Sequence, residues 1–249
     1  MTLKSSSNLF SCFVTGTDTE IGKTLVSCAL LHAFGQSGAR AVGMKPVAAG
    51  AVWREGAWRN EDVEAITTAS SLKLPQKLTA PYVLRTPAAP HIAAALEGVQ
   101  IDPTHILHCY QQIQLQTDVM VVEGVGGFCV PLTDDFDTAD LAQQLALPVI
   151  LVVGLRLGCI SQALLTAQAI AACGLVLAGW VANTVDTEMA YVQENIQALA
   201  SRLPAPLLGH IPRFAQPTAE AAADCLDLSP LNPSFPRRRE SSAAYQRNL

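Results

Sequence analysis

The sequence lacks any hydrophobic run long enough to cross a membrane as a helix, although half of its 249 residues are apolar. A spanning helix needs about 20 consecutive apolar residues, and stretches such as 148–154 are far shorter. The N-terminal segment MTLKSSSN is polar and has no apolar core of the kind found in signal peptides. We therefore expect a cytoplasmic protein that does not associate with a membrane.

Metal-binding and disulfide patterns are also missing. The seven cysteines are scattered and none forms a CxxC pair, which argues against a disulfide framework and a structural zinc site. The five histidines show no metal-ligand spacing. The formal net charge is −5, so the chain offers no electrostatic basis for binding nucleic acid.

The most informative segment that is present is FSCFVTGTDTEIGKTL, at residues 10–25. An apolar run enters a polar loop that closes on Gly22, Lys23 and Thr24, after which apolar residues recur at helical spacing. In a strand–loop–helix unit of this kind, backbone N–H groups and the helix N-terminus bind a polyphosphate. Lys23 would reach the β- and γ-phosphates and the Thr24 hydroxyl would bind Mg²⁺. Because Gly16 and Gly22 are separated by five residues, where the usual pattern has four, a plain strand–turn–helix is the alternative.

Strands and helices alternate along the rest of the chain. Strands are predicted at 40–47, 118–122, 148–153, 176–182 and 206–211, and helices from Glu61 and at 91–96, 104–116, 137–145, 160–173 and 188–203. This alternation predicts an α/β fold of the P-loop NTPase type, with a mostly parallel sheet and helices on both faces. We expect residues 1–231 to form a single ATP-binding domain. Residues 232–249 contain two prolines and a basic triplet, and we predict that they form a disordered tail. The less favoured alternative is a binding site for an anionic partner.

Polar side chains lie where these predicted strands end, which is where parallel sheets bind their ligands. Lys45, Glu123 and Asn183 each lie at or close to a strand end, and Asp62 lies in the first turn of a predicted helix. A carboxylate at such a position fits a Mg²⁺ ligand, and Lys45 would stabilise charge on a transferred phosphoryl or carboxyl group. The simpler alternatives are a capping or surface role for Glu123, a helix-dipole role for Asp62 and a surface position for Lys45.

Seven motifs, taken in order, resemble those of the dethiobiotin synthetase family. They are GTDTEIGKT, KPVA-x-G, RNEDVEA, VVEGVGG, PVILVVG-x-x-LGCI, LAGWVANT and PAPLLGHIP, and they span about residues 9–215. The five-residue glycine spacing is a feature of that family. Related P-loop ATPases that partition DNA or position division sites carry an extra lysine early in the loop, and residues 17–21 contain none.

The resemblance implies a homodimeric enzyme of biotin biosynthesis that joins 7,8-diaminopelargonate and CO₂ with MgATP to give dethiobiotin, ADP and phosphate. The first alternative is a regulatory ATPase switch of the partitioning type, which acts through protein partners. The second is an amide-forming relative that acts on cobalamin precursors. That relative uses a C-terminal glutaminase module with a nucleophilic cysteine, which we do not expect in a chain of this length.

The resemblance also implies roles for individual residues. Those implied to bind ATP are Glu20, Ile21, Gly22, Lys23, Thr24, Leu25, Asp62, Glu123, Gly124, Val125, Gly126, Asn183, Thr184, Pro212, Arg213 and Phe214. Within this set, Thr24, Asp62 and Glu123 would surround Mg²⁺, and the last five would hold adenine and ribose. Lys45 is implied to be catalytic and, with Ala49, to contact the substrate. The family usually has Ser or Thr at position 49, Ser at 89 and Asn at 161, where this chain has Ala49, Ala89 and Ser161.

Overall fold

The computed structural model describes residues 10–231, so the predicted tail at 232–249 lies outside the described residues. Its strands are β1 (Phe10–Gly16), β2 (Ala41–Met44), β3 (Val47–Ala48), β4 (Val52–Arg54), β5 (Ala57–Arg59), β6 (Tyr82–Val83), β7 (Val119–Glu123), β8 (Val149–Leu155), β9 (Leu177–Thr184) and β10 (Leu207–Ile211). Its helices are α1 (Lys23–Gln36), α2 (Glu61–Ala69), α3 (Gln76–Thr79), α4 (Pro90–Glu97), α5 (Pro103–Gln114), α6 (Thr138–Leu145), α7 (Cys159–Ala172), α8 (Val192–Ala200) and α9 (Ala219–Ala223).

The main sheet has six strands in the order β10-β9-β8-β1-β7-β2, and every neighbouring pair is parallel. Strand β1 lies in the middle, where Phe13 is opposite Val122 on one side and Val149 on the other. From β1 the chain goes out to the edge strand β2, returns to β7 beside β1, and then crosses to β8, β9 and β10 on the other side of β1. The direction of strand order therefore reverses at β1, and ligands of open α/β sheets bind at such a point.

Helices cover both faces of this sheet. Along β1, Phe13 faces the core beneath α5 and α7, whereas Cys12 and Val14 face the core beneath α1. Both faces of the central strands are consequently buried, which explains their almost continuous apolar sequences. The predicted mostly parallel sheet with helices on both faces is confirmed. Within residues 10–231, no helix has both the length and the apolar character needed to cross a membrane.

Two predicted elements, one strand and one helix, are wrong by three residues or more at one end or both. The strand predicted at 40–47 ends at Met44, because the next residues leave the main sheet: the Lys45 N–H donates to the Thr79 carbonyl at 2.7 Å, and Pro46 has no N–H to extend a ladder. The helix predicted at 188–203 covers only Val192–Ala200, because Tyr191 adopts a left-handed conformation (φ 59°) that begins the helix there.

The sequence also failed to predict five short elements. The segment around Trp53 and Trp58, where no strand is predicted, is an antiparallel hairpin of β4 and β5 in which the two rings pack edge to face. The proline-rich segment 75–90, where no helix or strand is predicted, contains α3 and β6. Thr218 caps the unpredicted α9 through a hydrogen bond from the Ala221 N–H. Each of these elements is five residues or shorter, too short for a periodic pattern to show.

Candidate active site

The loop between β1 and α1 has the backbone shape of a phosphate-binding loop. Gly22, at the start of α1, has φ 87°, and a Cβ there would lie 2.2 Å from Nδ2 of Asn183. Asn183 in turn donates from Nδ2 to the Ile21 carbonyl at 2.7 Å. Position 22 therefore requires glycine, and β9 holds the loop closed against the start of α1.

Lys23 lies inside this loop, with its Nζ donating to the Asp18 carbonyl at 2.8 Å. Burial and the charge of Lys45 lower the pKa of Lys23 to about 8, although Glu123 and Asp62 act in the opposite direction. A buried ammonium beside a second ammonium is poorly compensated by its surroundings. A bound anion such as a phosphate would add negative charge beside Lys23 and favour its ammonium form.

Lys45, Glu123, Asp62 and Thr24 form one hydrogen-bonded cluster at the C-terminal edge of the sheet. Nζ of Lys45 lies 2.6 Å from Oε1 of Glu123 and 3.2 Å from Oδ2 of Asp62, and it also donates to the Gly124 carbonyl at 3.0 Å. Oγ1 of Thr24 lies 2.7 Å from Oδ1 of Asp62 and 2.9 Å from Oε1 of Glu123. Residues from two helices and two strand ends therefore meet at one point.

The Lys45 ammonium and the Asp62 carboxylate are held in their charged forms. Burial lowers the pKa of Lys45, but the nearby Glu123 and Asp62 carboxylates outweigh it and leave that pKa raised. Burial raises the pKa of Asp62, but Lys45 and the Thr24 hydroxyl outweigh it and leave that pKa lowered. The side chains of Lys45 and Glu123 are only 3% and 0% exposed. Within the cluster, Lys45 and Glu123 therefore form an ion pair that is largely removed from solvent.

The second carboxylate oxygen of Glu123 indicates whether a metal ion would fit this cluster. Oε2 of Glu123 is buried and has no hydrogen-bond partner among residues 10–231. A buried polar atom left in this state is energetically costly and needs an explanation. Mg²⁺ typically takes one or two carboxylates and completes its shell with waters and substrate phosphates. Glu123, Asp62 and the Thr24 hydroxyl provide that set of oxygens, so the residues fit the ion.

A cavity of about 930 Å³ opens beside the cluster. The phosphate loop, the start of α2 and the segment before α4 line it, together with Ala49. Asn60 joins two of these walls, because its Oδ1 accepts the Val63 N–H at 3.2 Å and caps α2 while its Nδ2 donates to the Ala49 carbonyl at 3.0 Å. The cavity is large enough for a small organic substrate next to a nucleotide.

The structure brings most of the predicted site residues together. Lys23, Thr24, Lys45, Asp62 and Glu123 lie in or beside the cluster, and those that line the cavity are Glu20, Gly22, Lys23, Thr24, Lys45, Ala49, Asp62, Val125 and Gly126. The cavity lining does not include Ile21, Leu25 or Gly124. The side chain of Ile21 is buried, and a Cβ at Gly124 would lie 3.1 Å from the Phe13 ring. Packing, rather than close approach to a ligand, therefore explains the glycine at 124.

The residues predicted to hold adenine and ribose lie outside the cavity lining. Thr184 Oγ1 is 2.8 Å from Nε2 of His210, Pro212 and Arg213 are exposed, and Phe214 packs partly against the core beneath α1. These residues share the C-terminal ends of β9 and β10, next to the phosphate loop that Asn183 contacts. They remain a prediction for the nucleoside end of the ligand.

Besides the bond from Asn183 to the Ile21 carbonyl, sequence reasoning missed two further contacts that shape the site. One is the hydrogen bond from Asn60 to the Ala49 carbonyl. The residue type at position 60 indicates that it caps α2, but it does not indicate this second bond. The other is an ion pair between Arg156, after β8, and Asp18 in the phosphate loop. The two partners are 138 positions apart and neither lies in a periodic pattern, so no local signal pairs them.

Solved structures share this fold at low identity. MinD cell division protein from Aquifex aeolicus matches with a TM-score of 0.52 and 15% identity, covering 92% of both chains. A ParA family ATPase from Chlorobium tepidum TLS matches with a TM-score of 0.51 and 12% identity, covering 91% of this chain and 94% of that one. The fold and the glycine-bounded loop at the end of β1 therefore define a P-loop nucleotide-binding protein.

Sequence comparison then gives the family. A family model described as an AAA domain matches residues 11–221. An ATP-dependent dethiobiotin synthetase BioD from Janthinobacterium sp. (strain Marseille) is 57% identical over 92% of this chain and 98% of its own length, and one from Aromatoleum aromaticum is 60% identical over 82% and 90%. The chain belongs to the dethiobiotin synthetase family. The identification made from the seven motifs is confirmed, and the partitioning ATPases are similar only in fold.

Proposed function

We propose that this protein is an ATP-dependent cyclo-ligase of biotin biosynthesis that makes dethiobiotin from 7,8-diaminopelargonate and CO₂. The observation that carries the proposal is the buried Lys45–Glu123 pair, with Asp62 and Thr24, placed between a phosphate loop and a cavity of about 930 Å³. In a chain of this family, that arrangement supports a site for the nucleotide phosphates on one side of Lys45 and a site for the diamine on the other.

The chemistry needs positioning and charge neutralisation more than a covalent protein intermediate. One amine of the substrate attacks CO₂ and loses a proton, which gives a carbamate. A carbamate oxygen then attacks the γ-phosphorus, and the bond to ADP breaks. The second amine attacks the carbonyl carbon of the resulting anhydride and loses a proton; phosphate leaves and the ureido ring closes.

The cluster supplies groups suited to these steps. Residues 20–25 would surround the phosphates, with the Lys23 ammonium against their negative charge. Lys45, held between the site's carboxylates, would stabilise the carbamate and the phosphoryl group as it transfers. Mg²⁺, held by Thr24, Asp62 and Glu123, would neutralise phosphate charge. Residues 123–126 would separate phosphates from substrate, and Asn183, Thr184 and 212–214 would hold adenine and ribose.

One assay tests this proposal. ADP release is measured with and without 7,8-diaminopelargonate plus bicarbonate, in the presence of Mg²⁺, and incorporation of labelled CO₂ into product is followed in the same samples. We expect ADP release to depend on the diamine and to match the incorporated label. Equal ADP release with and without the diamine would instead favour an ATPase switch and reject the proposed reaction.

Position 49 gives a prediction about the substrate. Ala49 lines the cavity but has no hydroxyl, whereas the family usually has Ser or Thr there. In Ala49→Ser, the added hydroxyl would hydrogen-bond a polar or charged group of the diamine; such a bond contributes about 1.5–3 kcal/mol when one partner is charged. The KM for the diamine should therefore fall by about 10-fold, and the KM for ATP should not change.

The control for this prediction is Ala88→Ser, which adds the same hydroxyl to another alanine of the cavity lining. Serine is only one atom larger than alanine, so neither change should overpack the wall. A higher diamine KM in Ala49→Ser, a change confined to ATP, or an equal effect of Ala88→Ser would show that position 49 does not contact the substrate in this way.

We also propose that the protein acts in the cytoplasm as a homodimer. The turn between β8 and α7 carries Leu157, whose side chain is among the most exposed apolar groups at 96%, and Leu165 on α7 is 62% exposed. Burying an exposed leucine stabilises an assembly by about 1.5–3 kcal/mol. An apolar side chain on this turn is well placed to pack against a second copy of the chain.

Leu157→Glu should therefore weaken the dimer by about 10-fold or more, because it removes that burial and introduces a charge. The measurement is the dimer dissociation constant by sedimentation equilibrium. Leu115→Glu is the matched control, since Leu115 is 81% exposed at the end of α5, before the N-terminal end of β7. If both variants dimerise like the natural protein, the interface lies elsewhere.

A further inference from the structure

Asp18, in the middle of the phosphate loop, makes three separate contacts. Its Oδ1 accepts the N–H of Thr19 at 2.7 Å, and its Oδ2 pairs with Nη2 of Arg156. Its backbone carbonyl accepts the Nζ proton of Lys23 at 2.8 Å. The carboxylate of Asp18 is thus tied to a residue outside the loop, while the carbonyl of the same residue sets the direction of the Lys23 ammonium.

Arg156 is attached to a rigid part of the fold. It follows directly after β8, and the Cys159 N–H donates to its carbonyl at 3.0 Å at the start of α7. Strand β8 pairs with β1 up to Gly16, and the Thr17 N–H donates to the Val152 carbonyl at 3.0 Å. The side chain of Arg156 therefore reaches the loop from the strand beside the one that leads into it.

We infer that Arg156 is a positioning residue for ATP, which acts through Asp18 on Lys23. Arg156 fixes the Asp18 carboxylate, this fixes the Asp18 peptide group, and the carbonyl of that group orients the ammonium that meets the phosphates. The inference deepens the proposed function and rests on it for the identity of the ATP site. Arg156 and Asp18 have side chains that are 40% and 42% exposed, and an ion pair this exposed adds little to folding stability. Its effect falls on the geometry of the loop.

Arg156→Ala should raise the KM for ATP by about five-fold, the size of effect that a lost, partly exposed charge contact produces. The KM for the diamine and the melting temperature should stay close to those of the natural protein. Arg156→Lys keeps the charge and most of the reach, so we expect it to restore most of the ATP affinity.

The matched control is Arg40→Ala, which removes a similar ion pair from the opposite edge of the sheet. Nη2 of Arg40 lies 2.8 Å from Oδ1 of Asp118, and the Arg40 side chain is 50% exposed. The hydrogen bonds from Arg40 are strong enough to lower the pKa of Asp118 to about 2. Arg40→Ala should therefore lose at least as much stability as Arg156→Ala and leave the KM for ATP unchanged.

A double-mutant cycle separates action through Asp18 from a direct contact with ATP. Asp18→Asn keeps the backbone carbonyl and a side-chain oxygen for the Thr19 N–H but removes the charge that Arg156 holds. If Arg156 acts through Asp18, the two losses should not add. The Arg156→Ala/Asp18→Asn protein should then have the same ATP affinity as whichever single variant has the lower ATP affinity. Fully additive losses, a diamine KM that changes as much as the ATP KM, or an Arg156→Ala protein that behaves like Arg40→Ala would overturn the inference.

The readout should be independent of the reaction. Binding of ATP and of ADP is measured by calorimetry with Mg²⁺ and without the diamine, beside the kinetic assay. If nucleotide binds to the natural protein but no diamine-dependent turnover occurs, the proposed reaction fails while the cycle still tests Arg156. If turnover occurs and the cycle is additive, only the positioning role fails.

Discussion

Lys23→Ala is expected to lower kcat/KM for ATP by roughly 10²-fold or more, the size of loss seen when an oriented electrostatic group is removed from a developing charge. In the structure the Lys23 ammonium lies in the phosphate loop beside a second buried ammonium, that of Lys45, and its pKa is lowered to about 8. It is therefore poised to gain from a bound phosphate. Steady-state kinetics with varied ATP and saturating diamine and bicarbonate would measure the loss.

The fold of this variant should survive, because Lys23 points into the site and relief from the neighbouring ammonium offsets some lost packing. Lys77→Ala is the matched control, since it removes an exposed lysine from α3. We expect the control to keep full activity and both variants to melt within a few degrees of the natural protein. Normal turnover by the Lys23→Ala protein would refute the role given to this lysine.

The second large effect is on stability. Lys45→Met should lower the free energy of unfolding by roughly 3–5 kcal/mol, because it leaves the Glu123 carboxylate buried without the ammonium 2.6 Å away. Glu123→Gln should cost less, since Lys45 would keep Asp62 at 3.2 Å as a counter-charge. The measurement is urea unfolding of the protein without nucleotide and with a chelator present, so that no bound metal ion contributes.

The double variant Lys45→Met/Glu123→Gln removes both charges together. Replacing a whole buried ion pair by neutral side chains of similar volume is often neutral or stabilising, so this protein should recover most of the stability lost by Lys45→Met while remaining inactive. Recovery without activity would mean that the pair serves the reaction and not the fold. A double variant as unstable as the sum of the two single variants would show that the pair is not coupled as the distances indicate.

The sequence predicted the sheet and the centre of the site because both depend on local patterns. Continuous apolar runs identify strands buried on both faces, and Lys45 and Glu123 come directly after or at the end of such strands. Asp62 lies in the first turn of α2, as predicted, and Asn60, a residue type typical of an N-cap, begins that helix. The positions of residues that lie on a regular strand or helix could therefore be predicted from the pattern of that strand or helix.

Contacts between segments distant in sequence could not be predicted. The bond from Asn183 to the Ile21 carbonyl joins residues 162 positions apart, and the pair of Arg156 with Asp18 joins residues 138 apart. Each contact depends on the register in which β8 pairs with β1 and β9 pairs with β8, and no single segment of the sequence determines that register. The family resemblance named Asn183 as a ligand contact, but only the structure shows that its amide group holds the phosphate loop closed.

The central position of β1 has a consequence for synthesis of the chain. Its neighbours in the sheet are β7, which starts at Val119, and β8, which starts at Val149; even β2 pairs with β7 rather than with β1. At about 5–20 residues per second, a ribosome takes roughly 5–20 s to make the chain between β1 and the start of β7. During that interval the apolar strand that leads into the phosphate loop has no partner to pair with. The nascent chain must therefore be kept from aggregating until the middle third of the protein has been made.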